Sequence, residues 1–311
     1  MGANRPDVNY DVATRDFKYY IFDWDDNILH MPTKVHLEEK GEDGAWRPVE
    51  VSTSVFAIVR GDETRYRMPP GGRAEAFREF QDCTDEEGNL SFIRDTQAAL
   101  DRIAAGETPG PSFETLRKTL REGRIFAIVT ARGHASETIR DAVKIFVDRV
   151  LTAEDRAEMM RSLRGYRWWL DQKTEFGTDE EELDYYLSMC RYHAVTNPDF
   201  RQWMEKDGDF GGKLCDASGA RRPELAKEFA IRDFVEHVFH VLQRTGGLGR
   251  PVSVGFSDDD AGNVKAVSDY IRAELVKRFQ GFKFVVYDTS DPTLAHGRKV
   301  TVAGQLTLPG F

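Results

Sequence analysis

The sequence has few cysteines and no hydrophobic segment long enough to cross a membrane. Its three cysteines, Cys83, Cys190 and Cys215, are far apart and form no CxxC pair. This pattern predicts free thiols in a reducing compartment rather than a disulfide framework. No run approaches the roughly 18 apolar residues that a membrane-spanning helix needs, and residues 1–16 contain no apolar signal core. We therefore expect a cytoplasmic protein without a membrane partner.

The sequence also lacks a surplus of positive charge. Its 311 residues include 43 Lys and Arg against 53 Asp and Glu, which gives a formal net charge of −10. This balance disfavours nucleic acid and anionic membranes as partners. Apolar residues make up 40% and charged residues 31%, as is typical of a globular chain with a buried core. We find no HExxH motif, P-loop or zinc-ligand spacing.

The pattern of apolar residues predicts an α/β fold. Short β-branched and aromatic runs indicate strands buried on both faces, at residues 19–22, 125–129 and 252–256, and a fourth run predicts a strand at 282–287. Helical spacing lies between and after these runs, at residues 112–120, from about 136, and at 263–279. Alternating strands and helices are the signature of a parallel sheet.

An acidic cluster follows the first predicted strand, in the sequence Phe22-Asp23-Trp24-Asp25-Asp26-Asn27. Like charges a few ångströms apart repel each other, so three carboxylates in four residues are costly to place together. A divalent cation or a bound ligand commonly offsets that cost. The cluster therefore indicates a functional site at the end of this strand.

Two further polar clusters follow the other predicted strands. Thr130 and Arg132 follow the second strand ahead of a helix, where a hydroxyl and backbone amides can hold an anion such as phosphate. Asp258, Asp259 and Asp260 follow the third strand. Ligands of open α/β sheets bind beyond the carboxyl ends of the strands, and hard carboxylate oxygens suit Mg²⁺. We therefore expect one pocket to collect all three clusters.

Taken in order, these motifs resemble the haloacid dehalogenase (HAD) superfamily, in particular its phosphohydrolases. The first motif of that family, Asp-x-Asp-x-Thr/Val after a strand, is similar to Asp23-x-Asp25-x-Asn27, with Asn27 departing from the usual residue. Thr130 matches the second motif, and the acidic pair of the fourth motif matches Asp258 and Asp259. The resemblance runs from residue 17 to about residue 290.

The resemblance implies a role for each of these side chains. Asp23 is expected to attack phosphorus and form an aspartyl-phosphate, while Asp25 protonates the leaving oxygen and then activates water. Mg²⁺ is expected on the Asp23 carboxylate, the Asp25 backbone carbonyl and Asp258, with Asp259 in support. Thr130 is expected to bind the transferring phosphoryl group.

Two positions are open to alternatives at this point. The third motif of the family is a Lys at the start of a helix, and Lys227, on a helix ahead of the Asp258 strand, is preferred over Lys213 in Gly211-Gly212-Lys213. Arg132 is expected either to contact substrate phosphate or to form a surface ion pair.

The resemblance also implies an organisation of the chain. It implies a Rossmannoid three-layer α/β/α core with a parallel sheet, made of residues 17–30, 106–150 and 216–295, with cap insertions and with tails at 1–16 and 296–311. The first insertion, 31–105, is expected to be a cap that is partly β, with strands at 35–37 and 49–59. The second, 151–215, is helical and rich in aromatic residues, and is expected to be a second cap.

These features together predict an enzyme of the HAD phosphohydrolase type. We expect a Mg²⁺-dependent phosphatase that hydrolyses a small-molecule phosphomonoester through an aspartyl-phosphate. Long insertions favour a shielded site, since Asp23 and Thr130 are 107 positions apart and a crossover needs only about a dozen residues. The alternatives are a phosphatase for phosphoprotein or nucleic-acid ends, and a non-catalytic phosphate-binding or regulatory module with the same fold.

Overall fold

The computed structural model describes residues 7–84, 88, 90–213, 223–291 and 293–303. The strands within these ranges are β1 (Phe17–Phe22), β2 (Val35–Lys40), β3 (Trp46–Val51), β4 (Tyr66–Arg67), β5 (Phe126–Thr130), β6 (Arg191–Ala194), β7 (Val252–Asp258), β8 (Phe282–Asp288) and β9 (Arg298–Ala303).

The described residues also form helices. The α-helices are α1 (Thr53–Val59), α2 (Gly72–Ala76), α3 (Ser91–Ala104), α4 (Phe113–Arg121), α5 (Ser136–Val150), α6 (Ala153–Asp171), α7 (Asp179–Met189), α8 (Pro198–Glu205), α9 (Pro223–Arg244), α10 (Ala261–Tyr270) and α11 (Val276–Arg278). A π-helical turn at Ile271–Leu275 joins α10 to α11, so the helical segment predicted at 263–279 is continuous but irregular.

The predicted α/β class with a parallel sheet is confirmed. Six strands form one sheet in the order β6-β5-β1-β7-β8-β9, and all neighbours are parallel except β8 and β9. The four apolar runs predicted as strands form β1, β5, β7 and β8, and every residue of β5 is buried. Helix α5 packs against β6, α9 against β5, and α10 against both β7 and β8.

The edges of this sheet differ from the predicted boundaries of the chain's segments. Strand β6 comes from the aromatic-rich segment 151–215, and it pairs in parallel with β5. Strand β9 comes from the predicted C-terminal tail and pairs antiparallel with β8. Both segments therefore contribute to the main sheet. A four-residue edge strand such as β6 is too short to leave a clear periodic signal.

A second, small sheet lies in the first predicted insertion. It has the order β3-β2-β4 and is antiparallel throughout. Val35, Leu37, Val51 and Phe80 form its own small core. The turn between β2 and β3 includes Gly44, whose φ of +79° lies in the left-handed region that glycine favours.

The strand predicted at 49–59 is wrong beyond Val51. The side chain of Ser52 accepts a hydrogen bond from Val55 N at 3.2 Å, which caps the start of α1. The apolar β-branched residues that follow therefore form a helix, and none of its residues is buried. No helix in the described ranges is long and apolar enough to cross a membrane.

The cysteines that the structure describes are both free thiols, with Cys83 exposed and Cys190 buried. Burial raises the pKa of the Cys190 thiol to about 12. Cys215, the third cysteine, lies outside the described residues.

Candidate functional site

The carboxyl ends of the central strands open into a cavity of about 410 Å³. This is where α/β sheets bind their ligands. The predicted site residues that line this cavity are Asp23, Asp25, Thr130, Arg132, Lys227, Asp258 and Asp259. The sheet order explains the meeting, because β1 lies between β5 and β7 and the loops after these three strands are neighbours.

A tight turn after β1 carries the first acidic cluster. Asp23 N donates to Ser257 O at 3.0 Å, which continues the pairing of β1 with β7 for one residue. Ile28 N then donates to Trp24 O at 3.0 Å, and Asp26 has a left-handed φ of +53°. Both Asp23 and Asp25 line the cavity from this turn.

Asn27 holds this turn in place through its side-chain amide. Its Nδ2 donates to Asp23 O and to Ser257 Oγ, both at 3.0 Å. Its Oδ1 accepts from Ser112 Oγ at 2.9 Å and from Thr289 Oγ1 at 3.0 Å. Asn27 is fully buried, and it ties the acidic turn to β7, to the start of α4 and to the end of β8.

Lys227 on α9 bridges two of the acidic clusters. Its Nζ donates to Asp23 Oδ1 at 2.9 Å and to Asp258 Oδ2 at 2.6 Å, and all three side chains are buried. Burial opposes the charge of Lys227, but Asp23 and Asp258 together raise its pKa above its usual value. The lysine therefore stays charged between the two carboxylates.

The alternative lysine lies elsewhere. Lys213 is exposed and does not line the cavity, and its backbone N donates to Phe210 O at 3.1 Å. Of the two candidates, the structure places Lys227 at the acidic cluster.

Negative charge exceeds positive charge at this site. Burial raises the pKa of Asp23 to about 8, with Asp258 and Asp25 adding to the effect and Lys227 opposing it. The half-buried Asp259 has its pKa raised to about 9, first by burial and then by Asp23 and Asp258. Both shifts report carboxylates whose ionised form needs more positive charge nearby.

Asp25 is held by Arg132 rather than by Lys227. Arg132 Nε donates to Asp25 Oδ2 at 2.8 Å, and Arg132 Nη2 donates to Asp25 Oδ1 at 2.5 Å. The guanidinium is only 1% exposed, and it lies between the rings of Phe80 and Phe92, at 4.7 and 4.9 Å from their centroids. Arg132 thus forms the ion pair that was one of its two expected roles, but in the interior and with a site carboxylate.

Two threonines complete this side of the cavity. Thr33 Oγ1 accepts from Arg132 Nη2 at 2.8 Å and donates to Asp95 Oδ2 at 2.6 Å. Thr130 Oγ1 lies 3.4 Å from both Asp25 Oδ2 and Arg132 N. These longer distances mark weak hydrogen bonds, so the Thr130 hydroxyl is held loosely beside Asp25.

The opposite wall of the cavity comes from α1 and the segment around α2, and it was not predicted from the sequence. Its apolar lining consists of Val35, Phe56, Ala57, Ala74, Phe77 and Phe80. The signal that could have found α1 is Ser52, an N-cap residue directly ahead of an apolar run. Trp168 and Trp169, in the aromatic-rich segment, pack against Tyr10 and Phe17 and do not line the cavity.

The residues present fit a divalent cation in charge and donor chemistry. Six carboxylates line the cavity, and Lys227 and Arg132 are the buried cations among the lining residues that the structure describes. Within the described part of the chain, no three His, Cys, Asp or Glu side chains are arranged around a common metal position. Asp258 is engaged instead by Lys227 and, at 3.2 Å, by Asn263 Nδ2. The carboxylate oxygens are nevertheless the hard ligands that Mg²⁺ prefers.

Comparison of the chain with protein-family models, with curated proteins and with solved structures finds no match.

Proposed function

We propose that the protein is a Mg²⁺-dependent phosphatase of the HAD type, which hydrolyses a small-molecule phosphomonoester through an aspartyl-phosphate. The observation that carries this proposal is the position of Lys227 Nζ, within hydrogen-bond distance of both Asp23 and Asp258. A charged lysine between a nucleophilic carboxylate and a metal-binding one offsets the charge that phosphate brings to the site.

Asp23 is the proposed nucleophile. One of its carboxylate oxygens attacks phosphorus, the bond between phosphorus and the ester oxygen breaks, and the alcohol leaves with a proton. Lys227 stabilises the ionised form of Asp23, and the Thr130 hydroxyl binds an oxygen of the transferring phosphoryl group. Splitting the hydrolysis into two displacements replaces one difficult step with two easier ones.

Asp25 is the proposed proton carrier. It gives its proton to the leaving oxygen and later takes one from the water that attacks the aspartyl-phosphate, which releases phosphate and restores Asp23. Both of its oxygens accept from Arg132 in this structure. Each oxygen keeps a second lone pair, so Asp25 can carry a proton beside the guanidinium.

The donors proposed for Mg²⁺ are the Asp23 carboxylate, the Asp25 backbone carbonyl and Asp258, with Asp259 in support. When bound, the cation supplies Lewis-acid stabilisation of the negative charge on the phosphoryl oxygens. The raised pKa values of Asp23 and Asp259 support this assignment, because a cation would favour the ionised forms that burial disfavours.

We propose further that residues 31–105 act as the cap of a HAD-like core. The supporting observation is that α1 and the segment around α2 form one wall of the cavity. A wall over the carboxylates leaves room for a small molecule, and this favours a small phosphomonoester over a phosphoprotein or a nucleic-acid end.

One observation favours a second candidate, a phosphate-binding module without turnover. The guanidinium of Arg132 occupies both oxygens of Asp25 and is locked between two phenyl rings. If Asp25 stays ionised in this ion pair throughout, it has no proton to give to the leaving oxygen, and the site binds phosphate without hydrolysing the ester.

The test is phosphate release from a panel of phosphomonoesters, with Mg²⁺ and with EDTA, for wild type and Asp23→Asn. We expect metal-dependent release from the wild type and a loss of at least about 1,000-fold in Asp23→Asn, because the amide is a poor nucleophile. Asp269→Asn is the matched control, since Asp269 is an exposed residue of α10 paired with Lys265 at 2.8 Å. The control is expected to keep wild-type activity.

Acid quenching during turnover of a phosphorus-labelled ester separates the two candidates. Label on the wild-type protein that hydroxylamine removes, and its absence from Asp23→Asn, supports the aspartyl-phosphate. Binding of inorganic phosphate with no release from any ester supports the binding module. Full activity in Asp23→Asn removes Asp23 as nucleophile.

A further inference from the structure

Helix α1 is fixed at both ends to the two acidic loops of the site. Near its start, Thr53 Oγ1 donates to Asp26 Oδ2 at 2.6 Å, which ties the helix to the turn that carries Asp23 and Asp25. Just past its end, Arg60 Nη2 pairs with Asp260 Oδ2 at 3.0 Å, next to Asp259. The helix thus spans the cavity between these loops.

The residues between the two tethers present an apolar surface to the cavity. Phe56 and Ala57 line it, and Phe56 lies one helical turn beyond Thr53. None of the residues of α1 is buried, although the helix contains two valines, a phenylalanine and an isoleucine. Phe56 and Val59 pack against the small core, and Phe56 remains partly exposed where it lines the cavity.

Phe56 belongs to an aromatic cluster on the cavity wall. The ring of Phe77 meets Phe56 edge to face, with centroids 5.3 Å apart at 87°, and meets Phe80 in the same way, at 5.4 Å and 70°. Phe56 and Phe77 are only partly buried, and all three rings line the cavity. Arg73 lies over the ring of Phe77 at 4.6 Å and Arg132 over that of Phe80 at 4.7 Å. The further ring surface that this array offers to an aromatic ligand is therefore mainly that of Phe56.

The cavity is large enough for a ligand that consists of a phosphoryl group and an apolar group. Pockets for small ligands measure about 300–1,000 Å³, and this one measures about 410 Å³. The acidic floor of the cavity (Asp23, Asp25, Asp258 and Asp259) and Lys227 suit a phosphoryl group and its cation. The phenylalanine wall (Phe56, Phe77 and Phe80) suits an apolar group attached to that phosphoryl group.

We infer that the alcohol portion of the substrate carries an aromatic ring, which binds against Phe56, beside Phe77. This inference rests on the proposed phosphatase function, because it places the phosphoryl group at Asp23. The aromatic wall acts as the specificity-determining surface, and the acidic floor carries the chemistry.

The test compares three esters whose ester oxygen is bonded to the same primary CH₂: 2-phenylethyl phosphate, 2-cyclohexylethyl phosphate and 2-hydroxyethyl phosphate. We expect kcat/KM to fall in that order, with phenyl about threefold to tenfold above cyclohexyl. In Phe56→Leu the gap between phenyl and cyclohexyl should shrink to less than about twofold, because the apolar surface stays while the ring is lost. The matched control is Ile58→Leu on the same helix, since Ile58 is 81% exposed and does not line the cavity.

The outcomes separate this inference from the function on which it rests. Equal turnover of the three esters overturns the ring site and leaves the phosphatase proposal standing. No turnover of any ester overturns the phosphatase proposal, and the matching phosphonates then decide the ring site by calorimetry. A lower Kd for the phenyl phosphonate than for the hydroxyl one supports the ring site, and equal values overturn it. An unchanged phenyl preference in Phe56→Leu also overturns it.

Discussion

The two sheets of this protein differ in how many of their residues are buried. The main sheet has strands such as β5 in which every residue is buried, and its core includes the flanking helices. The small sheet buries only Val51 among the six residues of β3, and its core consists of Val35, Leu37, Val51 and Phe80. Yet the two regions face each other across one cavity.

This difference gives the site a rigid part, held by the main sheet, and a more adaptable part, held by the small sheet. The charged side chains stand on loops that the main sheet holds in place, which suits chemistry that depends on distances of a few tenths of an ångström. The apolar wall belongs to the region with little core, where local opening costs less free energy. Under the proposed function, substrate selection belongs to the side with the smaller core.

The largest expected contrast comes from truncating one core residue in each sheet. Ile128→Ala in β5 should lower the free energy of unfolding by about 4 kcal/mol, and Leu37→Ala in β2 by about 2 kcal/mol, since the smaller core relaxes around the cavity more easily. Urea denaturation gives both values. In Leu37→Ala, hydrogen exchange should also speed up in β2 and β3 while β1 and β7 keep wild-type rates. Equal acceleration in both sheets would show that they unfold as one unit.

An intermediate effect is expected where Lys227 joins the acidic loops. Lys227→Met leaves Asp23 and Asp258 buried without their shared cation and should cost about 3 kcal/mol at pH 8 in EDTA. Lys227 lowers the pKa of Asp23, so in the variant that pKa rises above about 8. The folded variant then binds more protons than its unfolded state, and its stability falls as pH rises from about 4 through that pKa. The wild type falls in parallel up to about pH 8, where its own Asp23 ionises. The loss caused by the substitution therefore grows mainly above pH 8 and is smaller at pH 5.

Lys265→Met is the control for this prediction, because Lys265 is an exposed lysine paired with Asp269 on α10. Its removal should change stability by less than about 0.5 kcal/mol at either pH. A loss in Lys227→Met that does not depend on pH would contradict the explanation by buried carboxylates.

The smallest expected effect concerns the tether between the two regions. Arg60→Gln removes an exposed ion pair with Asp260 and should change global stability by about 0.5 kcal/mol or less. Hydrogen exchange of α1 should nevertheless increase, because one of its two tethers is lost. Arg65→Gln, which removes the exposed pair with Glu39 at 2.7 Å, serves as control and should leave α1 unchanged. Unaltered exchange in Arg60→Gln would mean that Thr53 alone holds the helix.

The sequence predicted the main sheet better than the small one for a physical reason. Buried parallel strands need continuous apolar runs, and these stand out at β1, β5, β7 and β8. In α1 the same kind of run follows Ser52, and it forms a helix whose start is capped by a hydrogen bond to the Ser52 side chain. The edge strands β6 and β9 were missed because they are stabilised by pairing with β5 and β8, which no local pattern records.

Prediction of the site from the sequence was limited in the same way. Acidic clusters at strand ends predicted which side chains would meet, since chain order and parallel pairing bring those ends together. The pairing of Asp25 with Arg132 rather than with Lys227 depends on side-chain directions across 107 positions of sequence. The phenylalanine wall depends on where α1 packs, and spacing alone does not indicate that position.

The four hydrogen-bond partners of Asn27 give that residue a consequence for sequence change. A threonine or valine in its place offers one hydroxyl or none, where the amide now serves a backbone carbonyl, two serines and a threonine at once. A single replacement strands buried polar groups on three different elements. The tolerated substitutions at Asn27, Ser112, Ser257 and Thr289 are therefore joint ones, and we expect these four positions to vary together or not at all.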